Sequence, residues 1–444
     1  MTLRLVRCLL WWTVIGPLAT TGGAYSVLSH EALIDAVWAP VIVPLLLQRF
    51  PDATRAELTA AHGYAYGGCE IQDLGYYPFG NHYFSNLTHY ARAGAFVQAL
   101  FLESRTVDEY AFAIGALSHY VADVDGHPLA VNLSVPDMYP RLRRKFGNRV
   151  TYEDNPTAHI MTEFSFDVVQ ITGAGYLPRT YHNFIGFQVP RDLLERAFQD
   201  TYGLPMKRLF FSEGLSLKVY KLSASEIVPK LGVDIWKHRS ATLSRLNPSV
   251  VTPRFNYRLA PGNYQRPSGA GRRRFKPWSW QWRQTAQRAN VDLASRILVT
   301  MIEILPKVGS LRTLTFKPPT LQVQQLFIRS FDKTVADYES YLSELRRGHL
   351  ILPEDNLDLG GPRVAGQYQL ADETYARWLR DLAKSRFRRS DVQAWDDILN
   401  FYADLQAPIA TKAEPGRWNK VLSDLKRLRA EAADKTESPS HTGR

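Results

Sequence analysis

Residues 115–129 read GALSHYVADVDGHPL and place His119, Asp123 and His127 at intervals of four. Most of the other positions in this stretch are apolar or small, as in a buried helix. On an α-helix, side chains four residues apart lie on one face, so the three polar groups can point at one spot. Two imidazoles and a carboxylate are costly to bury unless something neutralises them. The stretch therefore predicts a buried helix that presents a set of nitrogen and oxygen ligands.

The composition and the N-terminal sequence indicate an exported globular protein. The chain has 444 residues, of which 45% are hydrophobic and 22% are charged, as in ordinary globular proteins. Residues 1–24 carry two arginines, then a short apolar run and then small residues, an order that predicts a secretory signal peptide. No later stretch looks apolar for long enough to cross a bilayer, so we expect a secreted or periplasmic protein. Cleavage would leave Cys69 as the single cysteine, which excludes a disulfide framework.

Helical periodicity dominates the chain, and alternating strand patterns are scarce, so an all-α fold is predicted. Thr106, followed three residues later by Glu109, predicts a capping box before the helix of residues 115–129. A second predicted helix, near the mature N-terminus, contains Pro40 and Pro44, which we expect to break it. The predicted domains are a helical catalytic domain over 25–250, a basic aromatic loop or linker over 251–282, a helical C-terminal region over 283–433 and a disordered tail over 434–444.

More histidines and carboxylates are concentrated in the first third of the chain. Taken singly, a His and a carboxylate four residues apart usually form a surface pair, and a lone buried His is usually a hydrogen-bonded core residue. Taken together, they are the ligands that Zn²⁺ takes where thiolate is absent, and a closed cluster needs several of them from different helices. The additional candidates are His30 in YSVLSH, Asp73, His82 and His89 in the loop-like segment IQDLGYYPFGNHYFSNLTHY, and His159 with Glu163 in AHIMTEF.

These ordered motifs resemble the zinc-dependent phospholipase C superfamily, which includes the catalytic domain of glycosylphosphatidylinositol-specific phospholipase D and fungal zinc nucleases that cut single strands. The resemblance spans roughly residues 25–170. It implies a multi-helical phospholipase C/nuclease-like domain, here with a helical C-terminal extension, that holds about three zinc ions. In that family the amine and first carbonyl of the processed N-terminus also bind zinc, and here that residue would be Tyr25. The metal ligands that the resemblance implies are Tyr25, His30, Asp73, His89, His119, Asp123, His127, His159 and Glu163. By the same resemblance, His119 and Asp123 join metals, and His127, His159 and Glu163 bind the next metal.

The resemblance also implies metal-dependent hydrolysis of a phosphodiester, in which zinc activates a water and neutralises charge on the phosphate. Asp73 is the candidate to position or deprotonate the attacking water, and a plain ligand role is an equal alternative. An aromatic segment close to Asp73 is the candidate to bind substrate, by cation–π contact with choline or by stacking on a base, although ordinary packing would explain it as well. The residues of this candidate substrate site are Tyr76, Tyr77, Phe79 and His82.

Three functions remain open at this point. The first is an exported phospholipase C that acts on glycerophospholipids at a membrane surface, the second a single-strand nuclease or nucleotidase on the same zinc scaffold, and the third a binding protein in which zinc only staples helices. The net charge of +11 and the run GRRRFKPWSWQWR suit acidic lipid or nucleic acid, and no protein partner is inferred. The third function is disfavoured because one structural zinc needs four ligands, and the sequence offers about twice that number.

Overall fold

The computed structural model describes residues 26–174, 186–228, 317–388 and 390–437. Within these ranges the chain is mostly helical, and the N-terminal domain is followed by a helical C-terminal region, so the predicted all-α class is confirmed. The predicted signal peptide, Tyr25 and the basic aromatic loop over 251–282 lie outside the described residues.

The elements are named here in chain order. The N-terminal domain contains α1 (Val27–Val37), α2 (Val43–Arg49), α3 (Arg55–Gly68), α4 (His82–Tyr90), α5 (Ala93–Glu103), α6 (Val107–Gly126), α7 (Asn132–Met138), α8 (Pro140–Phe146), α9 (Pro156–Ala174), α10 (Arg191–Tyr202) and α11 (Glu213–Leu222). The C-terminal region contains α12 (Leu321–Arg346), the antiparallel strands β1 (Asp355–Asn356) and β2 (Gly361–Pro362), α13 (Gln369–Lys384), α14 (Val392–Phe401) and α15 (Pro415–Glu437).

Helix α6 is the central helix, and it contains all but the last three residues of the stretch 115–129. Every residue from Tyr110 to Asp123 is buried, as expected for a helix surrounded by others. The Thr106 side chain accepts a hydrogen bond from the backbone N–H of Glu109. The Glu109 carboxylate accepts instead from the backbone N–H of Arg105, at 2.7 Å. The helix is therefore capped at Thr106 as predicted, but the return bond reaches one residue further than in the predicted capping box.

Helix α3 crosses α6 at two glycines. A Cβ at Gly68 would lie 2.1 Å from the carbonyl oxygen of Phe112, and a Cβ at Gly115 would lie 2.0 Å from that of Ala65. Both distances are far below any tolerable contact, so the two helices approach as closely as their backbones allow. This contact fixes the end of α3 against the middle of α6, where His119 lies.

The proline-containing segment is continuous, contrary to the predicted break. Between α1 and α2, residues Trp38–Ile42 form a wider helical turn in which the N–H of Val43 bonds to the carbonyl of Trp38. Such a turn accommodates prolines that cannot donate to the regular ladder. By length and composition, Val27–Arg49 is also long and apolar enough to cross a membrane. This corrects the expectation that no stretch after the signal peptide is apolar for long enough to cross a bilayer. Core helices pass the same test, and more than half of the tested window is buried inside this protein.

Two other expectations about local structure are corrected. The segment predicted to be loop-like is largely helical, with a tight 3₁₀ turn over Ile71–Tyr76 followed by α4. The Asn81 side chain accepts a hydrogen bond from the N–H of Tyr83 and so caps the start of α4. The prediction of a loop-like segment did not include this cap. Helix α15 continues to Glu437, so the first residues of the predicted disordered tail are helical.

The C-terminal region packs directly on the N-terminal domain. The hydroxyl of Tyr338 on α12 donates to the carbonyl of Ile114 on α6, at 2.9 Å. The indole of Trp378 on α13 donates to the carbonyl of Tyr202 at the end of α10, also at 2.9 Å. The carboxylate of Glu354 accepts from the first N–H groups of α5. The C-terminal region is therefore part of the same core as the domain that carries the candidate site.

Candidate metal centre

Three clusters of buried side chains lie at the middle of the N-terminal domain. In each cluster the candidate ligand atoms lie within 4.8 Å of one another. No member is more than 2% exposed. The first cluster is Asp73, His89 and His119, the second is His30, His119 and Asp123, and the third is His127, His159 and Glu163.

The first cluster has the spacing of a tetrahedral zinc site once Asp123 is included. His89 Nε2 lies 3.2 Å from Asp73 Oδ1 and 3.5 Å from His119 Nε2. Asp123 Oδ2 lies 3.4 Å from His89 Nε2 and 3.2 Å from His119 Nε2. Zinc bonds of about 2.0–2.1 Å place neighbouring ligand atoms of a tetrahedron roughly 3.4 Å apart. The widest of these measured spacings is 4.0 Å, between His119 Nε2 and Asp73 Oδ1.

The Asp123 carboxylate lies between the first and second clusters. While Oδ2 faces His89 and His119, Oδ1 lies 3.7 Å from Nε2 of His30. The rings of His30 and His119 are stacked, with their centroids 4.6 Å apart. One carboxylate thus directs one oxygen to each cluster, which is the arrangement of a bridging ligand.

His30 is placed by the start of α1, which Asp167 of α9 anchors. The Asp167 carboxylate accepts hydrogen bonds from the backbone N–H groups of Leu28 and Ser29 and from the Ser29 hydroxyl. Burial raises the pKa of Asp167 to about 6, although these bonds act in the opposite direction. The side chain of Ser26, the N-cap residue of α1, makes no capping hydrogen bond. The Asp167 carboxylate, from another helix, therefore caps the N-terminus of α1 in its place.

The third cluster lies where α6 ends. His159 Nε2 and Glu163 Oε1, four residues apart on α9, are 2.9 Å apart, and His127 Nε2 lies 3.6 Å from the same Glu163 oxygen. His127 is the first residue of a wider turn, His127–Val131, that follows α6. Helical spacing alone would place His127 with His119 and Asp123, whereas the resemblance groups it with His159 and Glu163, as the structure does. The regular α-helix ends at Gly126, and His127 belongs to the third cluster, not to that of His119 and Asp123.

Three of the histidines are held in the same way. The carbonyl oxygens of Ser85, Cys69 and Leu357 lie 2.7, 2.9 and 3.0 Å from Nδ1 of His89, His119 and His127, respectively. A carbonyl only accepts, so in the neutral imidazole each Nδ1 carries the proton and each Nε2 presents a lone pair to its cluster. Metal-binding histidines are typically oriented by such a bond on the other ring nitrogen.

Several buried atoms of the clusters make no hydrogen bond within the described ranges, among them Asp73 Oδ1, His127 Nε2 and His159 Nε2. Burial raises the pKa of Asp73, whereas His119 and His127 hold the pKa of Asp123 well below its usual range against the effect of burial. Burial lowers the pKa of His89, but Asp123 and Asp73 outweigh it and raise the value to about 10. Carboxylates and imidazoles packed this closely can be satisfied by protons or by cations. The donor set of nitrogen and carboxylate oxygen fits zinc.

The candidate substrate residues occupy different surroundings. The buried ring of Tyr76 lies 5.8 Å from the ring of His89 and 5.4 Å from that of His82, which is exposed. Tyr77 packs edge-on against Tyr220 in the core. Phe79 is 46% exposed. Of these side chains, Tyr76 is therefore the one whose ring is in contact with a cluster histidine.

Sequence reasoning missed several residues of the site, including Glu70 and Tyr152. Glu70 Oε1 lies 3.6 Å from His30 Nε2, and its other oxygen accepts from the Tyr77 hydroxyl. The ring of Tyr152 lies 5.7 Å from that of His159 and 5.6 Å from that of Tyr76. Glu70 is only three residues before Asp73, a spacing that could have drawn attention to it. Tyr152 carries no comparable signal.

His62 and Cys69 lie among the buried groups outside the three clusters. His62 bonds to Asp35 at 2.8 Å and stacks on Trp38, and none of the three belongs to a cluster. Cys69 is buried and contributes its backbone carbonyl to the site, as described above for His119.

The fold and the three clusters together define a helical protein with buried groups that could hold several metal ions close together. Residues 29–212 match the family model described as zinc dependent phospholipase C. This match confirms, for residues 29–212, the resemblance to the zinc-dependent phospholipase C family seen in the sequence. Comparisons with curated proteins and with solved structures gave no match.

Proposed function

We propose that the protein is an exported zinc-dependent phosphodiesterase, a phospholipase C that hydrolyses glycerophospholipids. The observation that carries the proposal is the Asp123 carboxylate, which lies within 3.2–3.7 Å of histidine nitrogens in two adjacent clusters. A zinc that only staples helices needs one closed set of four ligands, whereas a shared carboxylate is suited to ions that act together. The signal-peptide pattern of residues 1–24 supports export.

The clusters suggest which residues would hold about three zinc ions. Asp73, His89, His119 and Asp123 would hold the first. His30 and Asp123 would hold the second together with the amine and carbonyl of Tyr25, if processing makes Tyr25 the first residue. The hydrogen bonds that Asp167 accepts from Leu28 and Ser29 support this part of the proposal, because they fix the position of the chain only a few residues after Tyr25. The third ion would be held by His127, His159 and Glu163.

When bound, the zinc ions would supply an activated water and neutralise charge on the phosphate oxygens. Asp73 is the candidate to position or deprotonate that water, because one of its oxygens faces the first cluster from the 3₁₀ turn. Tyr76 and Tyr152, whose rings contact histidines of the first and third clusters, would border the bound phosphodiester. Their burial would also exclude bulk water from the reacting group.

The proposed substrate source is a membrane surface, and two exposed aromatic residues support it. Phe79 is partly exposed, and Phe211 is fully exposed on a neighbouring loop. The two loops are tied together because the Ser216 hydroxyl contacts the carbonyl oxygens of both Phe79 and Ser212. Lys207, close to Phe211 in the chain, is exposed as well. Aromatic side chains with a cationic neighbour suit the interface of a bilayer that contains anionic lipid.

Vesicle binding tests this surface. Replacing an inserted Phe by Ser would cost about 1.5–3 kcal/mol, so Phe211→Ser should weaken binding to phosphatidylglycerol-containing vesicles by about tenfold or more. Leu102→Ser is the matched control, since Leu102 is 84% exposed on α5. Sedimentation with vesicles measures both variants. Equal weakening by the two substitutions, or none by Phe211→Ser, would contradict the assignment of this surface.

A substrate comparison tests the activity itself. Zinc-loaded, processed protein is assayed on a chromogenic phosphorylcholine ester, on phosphatidylcholine vesicles and on single-stranded DNA. Hydrolysis of the two lipid-type substrates, lost in His159→Ala and kept in Asp35→Asn, supports the proposal. Asp35 is a suitable control because it is a buried carboxylate outside the three clusters. Cleavage of DNA alone would assign the nuclease function, and zinc binding with no hydrolysis would assign a binding role.

A further inference from the structure

We propose that the C-terminal region is an integral part of the metal centre, and that Asp358 is a positioning residue for His127. This inference rests on the proposed function, since it concerns the third of the proposed zinc sites. The observation behind it is a pair of contacts on one nitrogen. Nδ1 of His127 lies 3.0 Å from the carbonyl oxygen of Leu357 and 3.2 Å from Oδ1 of Asp358.

Asp358 is itself held firmly. Its Oδ2 accepts hydrogen bonds from the hydroxyl of Tyr90, at 2.8 Å, and from that of Tyr368. Its backbone carbonyl accepts from the side-chain amide of Asn132, and its N–H donates to Asn356. All these residues are buried. A carboxylate whose Oδ2 accepts from two hydroxyls, and whose backbone is bonded on both sides, cannot turn away from the imidazole without leaving several polar groups unsatisfied.

The same short segment also touches the first cluster. The N–H of Leu357 donates to the carbonyl of His89, at 3.2 Å, while the carbonyl of Leu357 faces His127. One residue of the C-terminal region thus bonds to candidate ligands from two clusters. The chain can approach so closely because Gly360, in the turn between β1 and β2, has a φ of +69°. A Cβ there would lie 2.4 Å from both the carbonyl oxygen of Val124 and the ring of Pro128, so only glycine fits.

The arrangement has a defined effect on His127. The carboxylate and the carbonyl both accept, so they keep the proton on Nδ1 and direct the lone pair of Nε2 into the third cluster. A carboxylate behind a ligating imidazole also increases its basicity toward a metal ion. In this protein these outer contacts come from a segment about 230 residues further along the chain, outside the part that matches the family model.

Zinc retention in the full-length, processed protein tests the inference without recourse to activity. Wild type, Asp358→Asn and the control Asp372→Asn are dialysed against a graded series of chelator concentrations, and bound zinc is counted by mass spectrometry. Asp372 is also a buried carboxylate of the C-terminal region, but its bonds go to backbone N–H groups of Gly366 and Ala410, not to a candidate ligand. We expect Asp358→Asn to release one zinc at about 10- to 100-fold lower chelator concentration, while the others are retained as in the control.

A second substitution identifies which zinc is affected. In a His159→Ala background the third ion is already lost, so adding Asp358→Asn should change zinc retention no further. If Asp358→Asn retains all its zinc like wild type, or if its effect persists in the His159→Ala background, the inference is overturned. If Asp358→Asn does not fold, Tyr368→Phe is tested instead, because it removes a hydroxyl that donates to Asp358. Weaker retention of one zinc in this variant supports the inference, and retention equal to wild type overturns it. A wild type that binds no zinc cluster would overturn the proposed function instead.

Discussion

The first and third clusters are similar in their ligands and different in what holds those ligands in place. The histidines of the first cluster are oriented by carbonyls of the same domain, at Ser85 and Cys69. His127 of the third cluster is oriented by Leu357 and Asp358, from the C-terminal region. The comparison shows that candidate metal ligands can all come from one domain while the groups that orient them come from a distant part of the chain.

The largest effect is expected from removing the carboxylate shared by the first two clusters. Asp123→Ala should reduce bound zinc from about three ions to about one and lower hydrolysis by on the order of 10³-fold or more, because both charge neutralisation and water activation depend on the ions. Glu163→Ala removes a carboxylate from the third cluster alone and should cost one zinc. Mass spectrometry of the purified variants measures both. Loss of the same number of ions from each variant would show that Asp123 does not bridge.

The next effect concerns the helix crossing that supports the first cluster. Gly115→Ala would place a Cβ 2.0 Å from the carbonyl of Ala65 and push α3 away from α6. We expect a loss of about 3 kcal/mol in the free energy of unfolding, and weaker zinc retention in the first cluster before the third. Urea denaturation and chelator titration measure the two effects.

Gly214→Ala is the matched control for that crossing. A Cβ at Gly214 on α11 would meet no atom within 4 Å, so the substitution should be neutral or slightly stabilising. A similar loss of stability in both variants would mean that glycine at position 115 is not needed for close packing.

A smaller effect is expected at the anchor of α1. Asp167→Ala leaves the N–H groups of Leu28 and Ser29 without their acceptor and should cost about 2 kcal/mol of stability. Because α1 carries His30, zinc of the second cluster should be released more readily while the third cluster keeps its ion. Chelator titration distinguishes this from a general loss of stability, which would release all the ions together.

The candidate ligands could be predicted from the sequence where they leave a local signal. His119 with Asp123, and His159 with Glu163, are pairs at helical spacing inside apolar helices, and His30, Asp73 and His89 belong to the same concentration of histidines and carboxylates. Helical spacing alone could not group His127 with His159 and Glu163, as the resemblance does, because a change from a regular helix to a wider turn after Gly126 is not visible in apolar periodicity. Asp358 was out of reach altogether, since its role depends on tertiary packing with elements far away in the chain.

The smallest effect concerns the joint between the two regions near the third cluster. Glu153 accepts from the N–H of Leu370, in the first turn of α13, whose own N-cap residue Tyr368 makes no capping bond. Burial raises the pKa of Glu153 to about 7, against the effect of bonds from the backbone of Leu370 and Gln369. The folded protein therefore binds this proton more tightly than the unfolded chain, where the pKa is near 4.5.

This contribution to stability is fully present below about pH 4.5 and is lost as the pH rises through about 7. Glu153→Gln has no such proton to lose. The melting temperature of the variant relative to wild type should therefore rise between pH 5 and pH 8, as measured by thermal unfolding of zinc-loaded protein across that range. Glu57→Gln is the control, because Glu57 is exposed and its pKa is lowered by Thr54. If the melting temperature of Glu153→Gln relative to wild type instead falls as the pH rises, the hydrogen bonds from α13 lower the pKa of Glu153 by more than burial raises it. The carboxylate would then join the two regions in its charged form.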